Sequence, residues 1–161
     1  MNSVLDWMQS TWLNSLALNY AWTWPTLETL HFLGMSLLIG SIFVMDLRLI
    51  GVQRVISSRT VHSLLPLAFV GFGLNLLTGI VFVFGDPYRY AVNISFQIKM
   101  VLVLLAGLNA LLYAVKVAPA MAAAGPNDQP PPLARAVGAA SLVLWIGVIC
   151  FGRLIPYLGT G

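Results

Sequence analysis

Charged residues are scarce in this sequence, and their scarcity excludes a water-soluble fold. Of the 161 residues only 8% are Asp, Glu, Lys or Arg, whereas 59% are hydrophobic, and the mean hydropathy is +0.89. A soluble domain carries about 25% charged residues. The only cysteine, Cys150, excludes an internal disulfide. We therefore predict one membrane-embedded domain, because the chain is too short for a helical bundle plus a soluble domain.

The sequence also lacks the patterns of several enzyme and transporter classes. It contains no nucleotide-binding motif, no nucleophile–base pair and no carboxylate pair at a useful spacing. We therefore expect no stand-alone enzyme, and any activity is expected to be that of an oxidoreductase. No internal or inverted repeat is visible, which disfavours an alternating-access transporter. We expect no nucleic acid among the partners.

Four apolar runs account for most of the chain and predict an all-α fold. They cover residues 25–50, 66–84, 94–117 and 133–155. Each run approaches or exceeds the roughly 20 residues that a helix needs to cross the hydrocarbon core of a bilayer. The sequence thus predicts an integral membrane four-helix bundle, a single transmembrane domain over residues 1–161. Pro66 is expected to open the second helix, Asn93 to cap the third, and residues 119–132 to form a loop.

The distribution of basic residues predicts the orientation of the bundle. One end carries Arg48, Arg54, Arg59, Lys116 and Arg135. The positive-inside rule places this end in the cytoplasm, so that both termini lie on the periplasmic side of a bacterial inner membrane. The first 20 residues lack the basic start and continuous apolar core of a signal peptide. We expect a short amphipathic helix on the membrane surface there, with docking to a partner subunit as the alternative.

Two ionisable residues inside the apolar runs define a candidate site. His31 lies six residues past Pro25, and Lys99 lies six residues past Asn93. At about 1.5 Å of rise per residue, both fall roughly 9 Å below the outer ends of their helices. Arg153 falls about 5 Å from the outer end of the fourth helix. An ionisable side chain in hydrocarbon is costly without a partner, so these positions indicate a functional site.

Neighbouring residues complete the predicted pocket. Its members are Glu28, His31, Met35, Gln97, Lys99, Met100 and Arg153. One carboxylate against two cations leaves the pocket net positive, which suits an anion such as a haem propionate or an acidic partner. In the alternative without a ligand, Glu28 neutralises Lys99 or Arg153, and His31 is a hydrogen-bonded bystander.

Two short segments carry a family resemblance. Residues 29–34 read Thr-Leu-His-Phe-Leu-Gly, and residues 96–100 read Phe-Gln-Ile-Lys-Met at the opening of a later helix. The chain resembles the copper-resistance-D-like (CopD-like) membrane proteins and the HemJ-type protoporphyrinogen oxidases. It also resembles an uncharacterised bacterial family of four-helix membrane proteins with Leu-Glu-x-Leu-His, Thr-Gly and Gln-Ile-Lys elements. In HemJ-type proteins the corresponding His is implicated in binding b-type haem, and the Lys belongs to the same site.

The resemblance implies that His31 is an axial haem ligand with Lys99 nearby. The second axial ligand stays open between Met35, Met100, Lys99 and water, and Arg153 or Arg89 is expected to meet the propionates. The predicted function is that of a b-type haem-binding subunit for electron transfer at the periplasmic side of the membrane. Its electrons would pass to quinone or to a periplasmic redox partner.

Two alternatives use the same sequence differently. In a copper-handling protein of the CopD-like kind, His31, Met35 and Met100 would bind Cu(I), which favours soft ligands. The scarcity of histidines and the lack of Met/His-rich stretches depart from the pattern of a copper importer. The other alternative is a cofactor-free accessory or assembly subunit of a larger membrane complex or of a homo-oligomer.

Overall fold

The computed structural model describes residues 2–52, 58–123 and 129–158. Over these ranges it contains helices and no strand, which confirms the all-α fold class. The helices are α1 (Asn2–Gln9), α2 (Trp12–Asn19), α3 (Thr23–Ile50), α4 (Ser58–Gly85), α5 (Pro87–Val92), α6 (Ile94–Leu112), a π-helix (Tyr113–Val117), α7 (Ala118–Ala123) and α8 (Pro132–Leu154). Where the sequence predicts a single helix before the first long one, the structure has the two short helices α1 and α2.

Four stretches are long and apolar enough to cross a membrane. They are Thr23–Ile50, Ser63–Gly85, Ile94–Met121 and Pro132–Leu154. This confirms the four long apolar helices that the sequence predicts. The end of the molecule at which α3 and α6 begin and α4 and α8 end is called the upper end below.

The prediction that Pro66 opens the second long helix is wrong. α4 already begins at Ser58 and contains Pro66 in its interior. Proline removes one backbone hydrogen bond, and its ring crowds the carbonyl four residues earlier. Apolar helices of this kind tolerate the defect where local adjustments and neighbouring groups satisfy the freed carbonyl. A proline is therefore not a boundary here.

The predicted loop over residues 119–132 begins as a helix. Pro119 lies in α7, which continues α6 through the π-helix Tyr113–Val117. A π-helical turn moves each hydrogen bond on by one residue. It thereby shifts the carbonyl that would crowd the Pro119 ring in a regular α-helix. The centre of the predicted loop, residues 124–128, and Arg54 lie outside the described residues.

The four long helices form a curved row in the order α4, α3, α8, α6. α3 packs against both α4 and α8, and α6 packs against α8, whereas no Cα atom of α4 lies within 8 Å of a Cα atom of α6 in the described ranges. Glycines set the closest approach, since a Cβ on Gly71 would lie 2.6 Å from the Gly34 carbonyl oxygen and a Cβ on Gly138 would lie 2.9 Å from Leu49 Cβ. The bundle is therefore open between α4 and α6.

Side-chain amides tie the upper end together. Asn93 caps α6 as predicted, because its Oδ1 accepts a hydrogen bond from the Phe96 amide at 3.0 Å. Its Nδ2 donates to the Ile155 and Leu158 carbonyls just beyond α8. Asn14 of α2 donates in the same way to the carbonyls of Phe84 (2.8 Å) and Gly85 at the end of α4. Both amides satisfy carbonyls that a helix end leaves without intrahelical partners.

The short helices at the upper end also contact one another. The Tyr88 hydroxyl of α5 donates a hydrogen bond to the Asp6 carboxylate of α1, which raises the pKa of Tyr88. The Trp7 ring meets the Phe84 ring edge-on, with 6.0 Å between centroids. α1 and α5 thus lie over the upper end of α4.

Candidate functional site

A cavity of about 280 Å³ lies between the four long helices. Its walls are almost entirely apolar, and the side chains come from α3, α4, α6 and α8. Four of the predicted site residues line it: His31, Met35, Lys99 and Met100. The volume lies just below the roughly 300–1,000 Å³ that is usual for small-molecule sites.

Three members of the predicted pocket lie elsewhere. Glu28 is exposed and does not line the cavity. Gln97 is exposed, and its Nε2 donates to the Ala91 carbonyl at 2.9 Å. The Arg153 guanidinium donates to the Tyr157 hydroxyl at 3.1 Å and lies 5.2 Å from the centre of that ring. The predicted pocket is therefore smaller and less polar in the structure.

The guanidinium of Arg153 is held by a tyrosine outside the cavity. Trp145, Val148 and Ile149 of α8 line the cavity, and Arg153 follows Ile149 by about one helical turn without lining it. Its side chain reaches Tyr157, which lies four residues further along the chain. Linear depth from the helix end does not show where a long side chain ends, so Arg153 lies outside the lining of the cavity.

His31 is oriented by a threonine on the neighbouring helix. Its Nδ1 lies 2.7 Å from Oγ1 of Thr78, and the Thr78 hydroxyl donates to the Leu74 carbonyl at 2.7 Å. A hydroxyl has only one proton, so both short contacts form together when the His31 Nδ1–H donates to Oγ1. Nε2 is then the ring nitrogen that carries the lone pair. This is the tautomer that an imidazole needs to bind a metal through Nε2.

The His31 ring is half-buried and lines the cavity. The Phe82 ring meets it edge-on, with 5.6 Å between centroids. On another side is Gly79, where even an added Cβ would lie 4.0 Å from His31 Cε1. Thr78 is the contact that residue-by-residue reasoning missed, although the Thr-Gly pair at residues 78–79 is among the elements of the family resemblance.

Lys99 reaches the cavity, and no opposite charge from the described residues lines the cavity with it. Its aliphatic chain and ammonium lie against Gly152 of α8, where an added Cβ would be 3.7 Å from Cε and 3.8 Å from Nζ. No Asp or Glu is among the described residues that line the cavity. The arrangement in which Glu28 neutralises Lys99 inside the pocket is therefore not found.

The donor set limits how a metal would be held. Within the described ranges, no three His, Cys, Asp or Glu side chains are close enough together to hold a metal ion. A metal in the cavity would therefore depend on His31 together with the thioethers of Met35 and Met100, or on a ligand such as a porphyrin. Comparisons with protein-family models, with curated proteins and with solved structures find no match for this chain.

Proposed function

We propose that this chain is a multi-pass protein of the bacterial inner membrane with both termini on the periplasmic side. The length and hydropathy of the four long helices support insertion. Three tryptophans at the upper end are largely exposed, at 60% for Trp7, 71% for Trp12 and 81% for Trp22. Exposed tryptophans of this kind favour the interfacial region of a bilayer, which supports surface binding by α1 and α2.

The protein binds a b-type haem in this cavity, with His31 as an axial ligand, and acts in electron transfer. The hydrogen bond between His31 Nδ1 and Thr78 Oγ1 carries this proposal. It fixes the ring orientation and leaves Nε2 as the coordinating atom, which is the arrangement that metal-binding histidines usually have.

The residues of the cavity fit a haem in part. The enclosed volume of about 280 Å³ is smaller than a porphyrin. The open side between α4 and α6 offers additional room. Met100 on α6 would supply the second ligand better than Met35, which follows His31 by one turn on the same helix. Lys99 would meet a propionate, whereas Arg153 faces away from the cavity.

A copper-handling function is the second candidate. The observation that favours it is that His31, Met35 and Met100 all line one cavity. One imidazole and two thioethers form a soft donor set suited to Cu(I). Met100 would be a ligand in both functions, so its replacement does not separate them. The absorption spectrum and the metal content do.

Purified protein tests both functions. Full-length protein from membranes is examined by absorption spectroscopy and metal analysis, next to His31→Ala and the exposed control Glu28→Gln. Haem binding predicts a Soret band that His31→Ala removes and Glu28→Gln keeps. Copper bound in the same His31-dependent way, without a Soret band, would replace the haem proposal with the copper function. Neither cofactor, together with co-purifying subunits, would indicate an accessory subunit.

A further inference from the structure

Aromatic rings line the cavity at its upper end, whereas α4 and α6 stand apart along its side. Phe84, near the end of α4, and Phe96, near the start of α6, both line it. Trp7 packs edge-on against Phe84, and Tyr90 packs edge-on against Phe96 with 5.1 Å between centroids. Aromatic contacts therefore back both phenylalanines at this end. Between α4 and α6, no two Cα atoms lie within 8 Å of each other in the described parts of the chain, which leaves a gap along this side.

The side chains along this opening face both the cavity and the surroundings. Leu76 of α4 and Met100 of α6 line the cavity and yet are 52% and 41% exposed. Ile80 of α4 is likewise a lining residue that is 41% exposed. These residues, with the α4–α6 gap between them, are called the lateral opening below. Its border is apolar, so in a membrane it would connect the cavity to the acyl chains of the lipids.

The charge inside the cavity specifies the head group of a ligand. Lys99 is a cation with no carboxylate among the described lining residues. An ammonium in an apolar, water-poor site is costly unless an anion accompanies it. A ligand with an apolar body and an acidic group satisfies both features, because the body matches the walls and the acid matches Lys99.

We infer that the lateral opening admits an amphiphilic carboxylic acid from the bilayer and that Lys99 binds its carboxylate. The inference rests on the membrane insertion proposed above and goes beyond haem binding, since it needs no iron and no role for His31. A porphyrin propionate and a fatty acid share this chemistry. The source of the carboxylate is therefore decided by experiment.

Trp145 is a natural reporter because it lines the cavity. Full-length protein in phosphatidylcholine nanodiscs is titrated with dibromostearic acid or with its methyl ester, since bromine quenches tryptophan on contact. The difference between wild type and Trp145→Phe isolates the quenching of Trp145. The acid is expected to quench at about tenfold lower mole fraction than the ester, because one charge-assisted hydrogen bond to Lys99 changes the affinity by about this factor. A second arm compares metal-free protoporphyrin with its dimethyl ester by porphyrin fluorescence.

Substitution of Lys99 tests the role of its charge. Lys99→Met is expected to respond to the acid and to the ester at about the same mole fraction, and Lys99→Arg is expected to restore the preference for the acid. A preference only for stearic acid over its ester identifies a fatty acid as the ligand, and a preference only for protoporphyrin over its ester identifies a porphyrin. An equal response to acid and ester in both arms, or a preference that survives in Lys99→Met, would overturn the inference. Haem binding is tested separately, by the loss of the Soret band in His31→Ala. Either proposal can therefore be refuted while the other stands.

Bulkier side chains test the lateral opening itself. Leu76→Phe together with Val103→Phe adds volume at lining positions on the two sides of the opening. Leu77→Phe together with Val101→Phe adds the same volume at positions that are 65% and 56% exposed and do not line the cavity. The first pair is expected to slow the quenching of Trp145 several-fold, and the second pair to leave its rate unchanged. Unchanged rates for the first pair would overturn access through this side.

Discussion

Thr78→Val is the substitution that tests the proposed site most directly. Valine has nearly the same shape as threonine but lacks the oxygen that lies 2.7 Å from His31 Nδ1. Thr78 is only 3% exposed, so water cannot replace the lost partner. The His31 ring then loses the acceptor that fixes its tautomer, while the rest of the cavity wall keeps its form.

The expected magnitude has two parts. Thr78→Val removes two hydrogen bonds, the one from His31 Nδ1 and the one to the Leu74 carbonyl. Each bond contributes about 1 kcal/mol of folding free energy, which for a protein of this size corresponds to about 2–4 °C in melting temperature per bond. Loss of the residue that orients a metal-binding histidine weakens metal binding by about 10–100-fold. A decrease in haem affinity is therefore expected in addition to the decrease in stability.

Haem titration of purified protein in detergent measures this effect, with the melting temperature recorded for each variant. Thr29→Val is the matched control, because the Thr29 hydroxyl also donates to a carbonyl of its own helix but is exposed and lacks a histidine partner. Thr78→Val should weaken the Soret response, and Thr29→Val should not. Equal haem affinity in Thr78→Val and wild type would refute the argument that this hydrogen bond prepares His31.

Three further variants test the structure around the site. Gly71→Ala is expected to lower the free energy of unfolding by about 1–3 kcal/mol, because its Cβ would lie 2.6 Å from backbone atoms of α3. The control Gly73→Ala would place its Cβ where no atom lies within 4 Å, so its thermal unfolding should match that of the wild type. Asn93→Ala is expected to cost about 1 kcal/mol for the lost cap alone and more for the two carbonyls beyond α8, and a melting temperature equal to wild type would contradict this. Arg153→Gln is expected to leave the affinity for the carboxylic acid unchanged, whereas Lys99→Met is expected to lower it. Equal losses of affinity in both variants would show that Arg153 also contacts the ligand.

Local rules predicted the elements whose cause is local. The four long helices follow from uninterrupted apolar sequence, and the cap of α6 follows from the Asn93 side chain and an amide three residues later. Proline positions were less informative. Pro66 and Pro119 lie inside helices, because an apolar helix can absorb the missing hydrogen bond and a π-helical turn can relieve the ring contact.

The composition of the cavity was predicted only in part, because depth along a helix is local and rotation toward neighbours is not. His31 and Met35 of α3 share the cavity with Lys99 and Met100 of α6, as their common level along the two helices suggested. Glu28 and Arg153 share that level approximately but point elsewhere. Which face of a helix is buried depends on where its neighbours lie, and one sequence of mostly apolar residues carries little information about that.

The sequence by itself determined the class of this protein, since scarce charge and four long apolar runs admit only a helical fold with its apolar surface outward. It also singled out His31 and Lys99, because ionisable residues are rare in such runs. Only the tertiary structure decided their partners. The approach of α3 to α4 at Gly34 and Gly71 sets Thr78 against His31, and the curved row of helices leaves α4 apart from α6. Both results depend on contacts between residues far apart in the chain.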